Sequence, residues 1–163
     1  MTKNDLKSGE PILHKVHHLL SKQRLRVAVA ESCTGGMLSE YFTTLSGASD
    51  IFVGGIVCYS NEAKKRLLSV SEQTLAKFGA VSENTALEMI NGLSAALKAD
   101  IYLAITGIAG PTGGSETKPV GTVYIATKFR DQIFCHHFVF EGDREQVRQK
   151  TTKRALQIIY DFF

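Results

Sequence analysis

A chain of 163 residues, 44% hydrophobic and 21% charged, is long enough to bury one full core without staples and reads as a single domain over 1–163. Its net charge of +3, with the basic residues dispersed, argues against the clustered basic face of a nucleic-acid binder, which stays the third reading. No apolar run approaches the ~20 residues of a membrane span, and three cysteines without a C-x-x-C pair exclude a disulfide framework. With no apolar signal-peptide core in Met1 to Glu10, which reads as a loosely ordered leader to the domain, the expected location is cytoplasmic.

In chain order, Pro11 to Arg24 carries Ile12, Leu13, Val16, Leu19 and Leu20 at helical spacing, with Pro11 suited to a first turn. Leu25 to Ala30 is a short strand, Gly36 to Leu45 a helix ended by Ser46-Gly47-Ala48-Ser49, and Ile51 to Tyr59 a strand interrupted by Gly54-Gly55. Asn61 to Leu68 is a helix capped by Ser60 or Asn61, and Ser71 to Phe78 a short helix closed by Gly79. Ser82 caps a longer helix, Glu83 to Lys98, with Leu87, Ile90, Leu93, Ala96 and Leu97 inward. Ile101 to Thr106 is a strand and Gly107 to Pro119 a loop. Val120 to Phe129 and Gln132 to Phe140 form a hairpin about Arg130-Asp131, and Asp143 caps a closing helix to Phe163. Strands alternating with helices, then a hairpin, predict a layered α/β domain with a mixed sheet.

Two strand ends are polar and glycine-rich: Glu31-Ser32-Cys33-Thr34-Gly35-Gly36 and Thr106-Gly107-Ile108-Ala109-Gly110-Pro111. A hydroxyl at the carboxyl end of a buried strand presents a nucleophile, and main-chain N–H groups after it receive a developing negative charge. Serine needs a base. His14, His17 and His18 lie on the first helix and His136 and His137 on a hairpin strand. None is an obvious base, and no carboxylate completes a metal set with them. Lys64, in the first turn of the helix after Tyr59, is the better candidate, because the helix dipole favours its neutral amine. A surface lysine beside Lys65 and Arg66 fits the spacing equally. Cys33 is the rival nucleophile, or a small packing residue. The loop after Thr106 matches no phosphate fingerprint and reads as a pocket wall or a plain connection. Arg144 and Arg148 present two guanidinium groups at the start of the last helix, for an anion or for neighbouring carboxylates.

Taken together, Ala30 to Gly36, Gly55 through Tyr59-Ser60-Asn61-Glu62-Ala63-Lys64, Gly79-Ala80-Val81-Ser82, Thr106 to Pro111 with Gly113-Gly114, Lys118 to Val123 and Gly142-Asp143-Arg144 resemble the CinA carboxy-terminal domain family. The likeness runs from about Leu13 to Phe163, without the domain that precedes it in longer members, as in the stand-alone form. It implies a three-layer α/β/α sandwich and a nicotinamide-nucleotide amidase. The implied reaction takes nicotinamide mononucleotide and water to nicotinate mononucleotide and ammonia, with no cofactor, no metal, no nucleic acid or membrane partner, and frequently a homodimer. The implied catalytic set is Ser32, Tyr59 and Lys64. The expected substrate contacts are Glu31, Thr34, Gly35, Gly36, Asn61, Thr106, Gly107, Gly110 and Arg144, with oxyanion donors from the Thr34-Gly35-Gly36 turn. Two alternatives of another class are a non-catalytic nucleotide-binding module and a competence- or damage-associated accessory module.

Overall fold

A computed structural model describes residues 11–163; the expectation for residues 1–10 lies outside them. Twelve elements follow one another: α1 (Ile12–Gln23), β1 (Val27–Glu31), α2 (Met37–Thr43), α3 (Ala48–Ile51), β2 (Phe52–Val57), α4 (Asn61–Leu68), α5 (Glu72–Phe78), α6 (Glu83–Ala96), β3 (Ile101–Gly107), β4 (Thr122–Phe129), β5 (Gln132–Val139) and α7 (Arg144–Asp161). The five strands make one sheet in the order β2-β1-β3-β4-β5. β1 runs parallel to both β2 and β3, while β4 and β5 add antiparallel.

Period-two alternation builds the layers. Val27 and Val29 of β1, with Ile101, Leu103 and Ile105 of β3, face a core closed by Val16 and Leu20 of α1, Leu38 and Phe42 of α2, and Leu156 and Ile159 of α7. Ala28, Ala30, Tyr102 and Ala104 face the other way, onto Met89, Ile90 and Leu93 of α6 and Leu68 of α4. Branched aliphatic residues fill the first side, while alanines predominate among the strand residues of the second. Each buried Leu, Ile or Phe contributes roughly 1.5–3 kcal/mol of transfer free energy. The expected α/β/α sandwich with a mixed sheet is observed.

Local chemistry sets the ends. Ser60, Ser71 and Ser82 accept from the N–H groups of Ala63, Thr74 and Thr85, so Ser60, not Asn61, caps α4. Asp143 and Gln146 close a reciprocal capping box on α7.

Four expectations are corrected. Ser46 to Ser49 does not simply end a helix, because Gly47, at φ +83°, starts the single-turn α3. The hairpin strand begins at Thr122 rather than Val120, after Gly121 at φ +93°. α6 stops at Ala96 because Leu97 is extended, at φ −126°. Ala96 itself is exposed, and Ala86 and Met89 take the inward positions instead.

The connections place the functional end of the sheet. From β1 the chain leaves into α2 on one face, and from β2 into α4 on the other. Adjacent parallel strands whose exits diverge open a crevice at their carboxyl ends, where α/β sheets bind ligands.

Candidate active site

Ser32 follows β1 directly, and its N–H still donates to Ile105 O of β3 at 3.0 Å. Cys58 follows β2, its N–H donating to Glu31 O at 2.8 Å. Both sides of the crevice are thereby fixed by the sheet ladder.

Lys64 enters from α4. Its side chain is 1% exposed, and Nζ lies 2.9 Å from Ser32 Oγ, 2.9 Å from Cys58 O and 3.3 Å from Tyr59 O. Among the described residues no carboxylate pairs with the amine, and burial pushes its pKa below the usual lysine value. Nζ donates to Ser32 Oγ and to the two carbonyls; on losing a proton the amine can keep both carbonyl bonds and turn its lone pair to the Ser32 hydroxyl. Of the two readings open for Lys64, the surface lysine is excluded.

Cys33 is buried, and burial pushes its thiol up to about 12, so it stays protonated at neutral pH. It serves as packing: a Cβ added to Gly107 would come within 3.0 Å of Cys33 Sγ and 2.7 Å of Val123 Cγ2, which is why glycine stands there.

The expected substrate contacts fall into distinct groups. Glu31 is fully buried with its carboxylate committed to the protein: Oε2 accepts from Gly36 N and Leu38 N, and Oε1 from Ser39 N and Oγ, at 2.7–3.1 Å. It anchors the start of α2 to the end of β1. The glycine pair supplies geometry, at φ +60° and +99°, rather than donors. Gly35 N–H donates to Ser32 O at 3.1 Å and Gly36 N–H to Glu31. Within the Ser32 to Gly36 turn the N–H groups of Cys33 and Thr34 donate to no oxygen among the described residues, and Thr34 Oγ1 is buried without a partner. Free donors therefore lie one residue nearer Ser32 than the expected Thr34-Gly35-Gly36 turn.

Thr106 is buried with Oγ1 donating to Ala80 O at 2.7 Å. It ties the β3 exit to the loop before α6. Gly110 O accepts from Arg144 Nη1 at 2.7 Å, and Arg144 Nη2 donates to the Tyr59 hydroxyl at 2.8 Å. Tyr59 therefore meets Lys64 through its main chain and Arg144 through its side chain, which is 59% exposed. Asn61 opens α4, exposed, and makes no side-chain hydrogen bond among the described residues. Arg148, absent from the expected contacts, donates to Thr34 O at 2.9 Å and to Glu145 at 3.1 Å. Its spacing of four from Arg144 was the signal that both guanidinium groups share one helix face.

The assembled unit is a hydroxyl, a desolvated amine and free main-chain donors at one strand end, a set suited to attack on an electrophilic carbon. Among the described residues no three His, Cys, Asp or Glu side chains gather as metal ligands, and no helix is long and apolar enough to cross a membrane.

Comparison with known proteins agrees over nearly the whole chain. The model of the CinA C-terminal domain matches residues 9–163. A CinA-like protein of Thermotoga neapolitana is 49% identical over 154 residues, 94% of this chain and 36% of that protein. A CinA-like protein of Petrotoga mobilis is 42% identical over 179 aligned positions, covering 99% of this chain and 44% of that protein. The chain thus spans less than half the length of either. Among solved structures, a competence damage-inducible protein A of Klebsiella pneumoniae superposes with TM-score 0.88 at 37% identity, over 92% of this chain and 93% of that one. A competence-damaged protein (CinA) superfamily member of Escherichia coli does so with TM-score 0.87 at 33% identity, over 100% and 94%.

Proposed function

The chain belongs to the CinA C-terminal domain family, and from that premise we propose that it is a serine amidohydrolase converting nicotinamide mononucleotide and water to nicotinate mononucleotide and ammonia. The observation that carries this reading is the 2.9 Å contact between Lys64 Nζ and Ser32 Oγ in a site shielded from water.

Neutral Lys64 accepts the Ser32 proton as Oγ attacks the carboxamide carbon. The N–H groups of Cys33 and Thr34 receive the resulting oxyanion, each such donor contributing about 3–4 kcal/mol at the transition state. Lys64 returns the proton to the amide nitrogen, the C–N bond breaks, and ammonia departs from an acyl-enzyme. Lys64 then takes a proton from water, hydroxide adds to the acyl carbon, and Ser32 leaves with that proton as nicotinate forms. The cationic pyridinium withdraws electrons from the carbonyl and eases both additions. Gly35, Gly36, Thr106, Gly107 and Gly110 shape the walls around the ring. Arg144 takes the phosphate, its present partners, Gly110 O and the Tyr59 hydroxyl, being neutral acceptors that an anion displaces.

The deciding assay is ammonia release from nicotinamide mononucleotide without added metal, compared with nicotinamide and the intact dinucleotide. Wild type is expected to turn over the mononucleotide, and Ser32→Ala to lose at least ~10³-fold in kcat with its circular dichroism unchanged. Comparable turnover by Ser32→Ala sinks the nucleophile, and stoichiometric binding of the nucleotide without ammonia sinks the amidase.

A further inference from the structure

Arg148 reaches from the second turn of α7 to the turn that carries Ser32. Nη1 donates to Glu145 Oε2 at 3.1 Å and Nη2 to Thr34 O at 2.9 Å, with the side chain 26% exposed. Thr34 O also accepts from Met37 N–H at 3.2 Å. A guanidinium keeps its proton at any working pH, so this carbonyl is held by a permanent cation. The main chain leads from it back to the nucleophile. In a trans peptide, as both of these are, the C=O and N–H point in opposite directions. Fixing Thr34 O on Arg148 therefore turns the N–H of the same peptide, that of Gly35, the other way, where it donates to Ser32 O at 3.1 Å. Ser32 O in turn belongs to the peptide whose N–H is that of Cys33. That N–H points away again, and it donates to no oxygen among the described residues. Two peptide groups are thus lined up head to tail between a cation and an open donor.

We infer that Arg148 is a positioning residue for the oxyanion site: through the Thr34–Gly35 and Ser32–Cys33 peptides it orients and polarises the Cys33 N–H before substrate arrives. The inference rests on the amidase reading and deepens it. An amide whose oxygen is held by a positive charge donates more strongly through its nitrogen, and bonds in such a chain reinforce one another by roughly 10–30% each. The benefit falls on the step in which negative charge develops, because only then does the Cys33 N–H meet a full anion. Burial dominates at the Cys33 thiol and raises it, yet the Arg148 charge is among the effects that pull it back, so the field of the guanidinium reaches this turn. Glu145 pairs with one edge of the guanidinium and leaves the other to Thr34 O, which fixes the direction of the bond. Arg144, on the same helix face, holds Gly110 O and the Tyr59 hydroxyl instead. The two arginines divide the work: Arg144 acts on the substrate and Arg148 on the main chain behind the nucleophile.

Two neutral variants, Arg148→Met and the more conservative Arg148→Gln, are compared with wild type in ammonia release from nicotinamide mononucleotide. Each is expected to keep its circular dichroism and lose at least ~10-fold in kcat, with KM within about threefold of wild type. The rise of kcat/KM with pH is expected to keep its midpoint, since Arg148 is not among the charges that act on Lys64. A loss confined to KM makes Arg148 a substrate contact and overturns the proposal, as does an unchanged kcat in a folded variant. A second measurement does not use the reaction. In the nitrogen-15-labelled protein without ligand, the amide nitrogens of Gly35 and Cys33 are expected to move upfield on loss of the charge, and further than that of Thr34, whose peptide lies outside the chain of bonds. Unmoved Gly35 and Cys33 signals overturn the proposal even in a protein that releases no ammonia. Shifted signals in a wild type that releases none leave the polarised chain standing and sink the amidase reading alone.

Discussion

Two strand ends of this sheet look alike and do different work. β1 and β3 lie side by side, and each runs into a buried hydroxyl followed by glycine, Ser32 before Gly35-Gly36 and Thr106 before Gly107. At Ser32 the hydroxyl meets an amine that is itself desolvated. At Thr106 it is committed to the Ala80 carbonyl. A hydroxyl and a flexible turn are common, and reactivity depends on which long side chain the neighbouring connection delivers. β2, on the far side of β1, sends its exit to the opposite face of the sheet from α2, and this brings Lys64 back under Ser32. Among the described residues no amine reaches Thr106 Oγ1, which donates to Ala80 O.

The largest expected effect tests the amine. Lys64→Met is expected to cost at least ~10³-fold in kcat, about 4 kcal/mol at the transition state. Because burial lowers the Lys64 pKa, its neutral fraction grows with pH from below the ordinary value of 10.5. Wild-type kcat/KM should therefore climb with pH to a midpoint under that value, and residual activity of the variant should lack this limb. A limb that survives the substitution would assign the base elsewhere. Stability carries the same sign: the unfolded chain holds the Lys64 proton up to about 10.5 while the folded one has released it, so this residue favours folding more as pH rises through that interval.

A smaller effect is expected at the other strand end. Thr106→Val removes one hydrogen bond, costing about 1 kcal/mol, or roughly 2–4 °C in Tm for a domain of this size, with kcat kept within a few-fold. A kcat loss matching that of Lys64→Met would erase the distinction between the two ends. The smallest effect is expected at Tyr59. Its hydroxyl holds Arg144, so Tyr59→Phe should raise KM for the mononucleotide by up to ~5-fold, about 1 kcal/mol, and leave kcat nearly unchanged. A kcat loss with KM constant would instead give the Tyr59 hydroxyl a part in proton transfer.

Much of this was legible along the chain. Serine and aspartate caps marked the starts of α4, α6 and α7, and alternation marked the hairpin, because those signals are local. α3 was not, being a single turn set by the left-handed Gly47. At the site, Ser32 stood out through its strand and glycines, but the state of Lys64 did not. Helical spacing says that a lysine is there. Its burial depends on a contact 32 residues away, made after two strands have paired. The role of the Glu31 carboxylate was hidden for the same reason: only the folded start of α2 shows four donors converging on it. Arg148 reaches Thr34 across 114 positions, beyond any local pattern.

That carboxylate has a consequence for how the site comes apart. The amide hydrogens of Gly36, Leu38 and Ser39 all rest on the residue that immediately precedes Ser32. The first turn of α2 therefore cannot fray while the reactive hydroxyl stays in register. Helix opening and loss of the site are one cooperative event, and the exchange protection of those three amides measures how much of the population is competent to react.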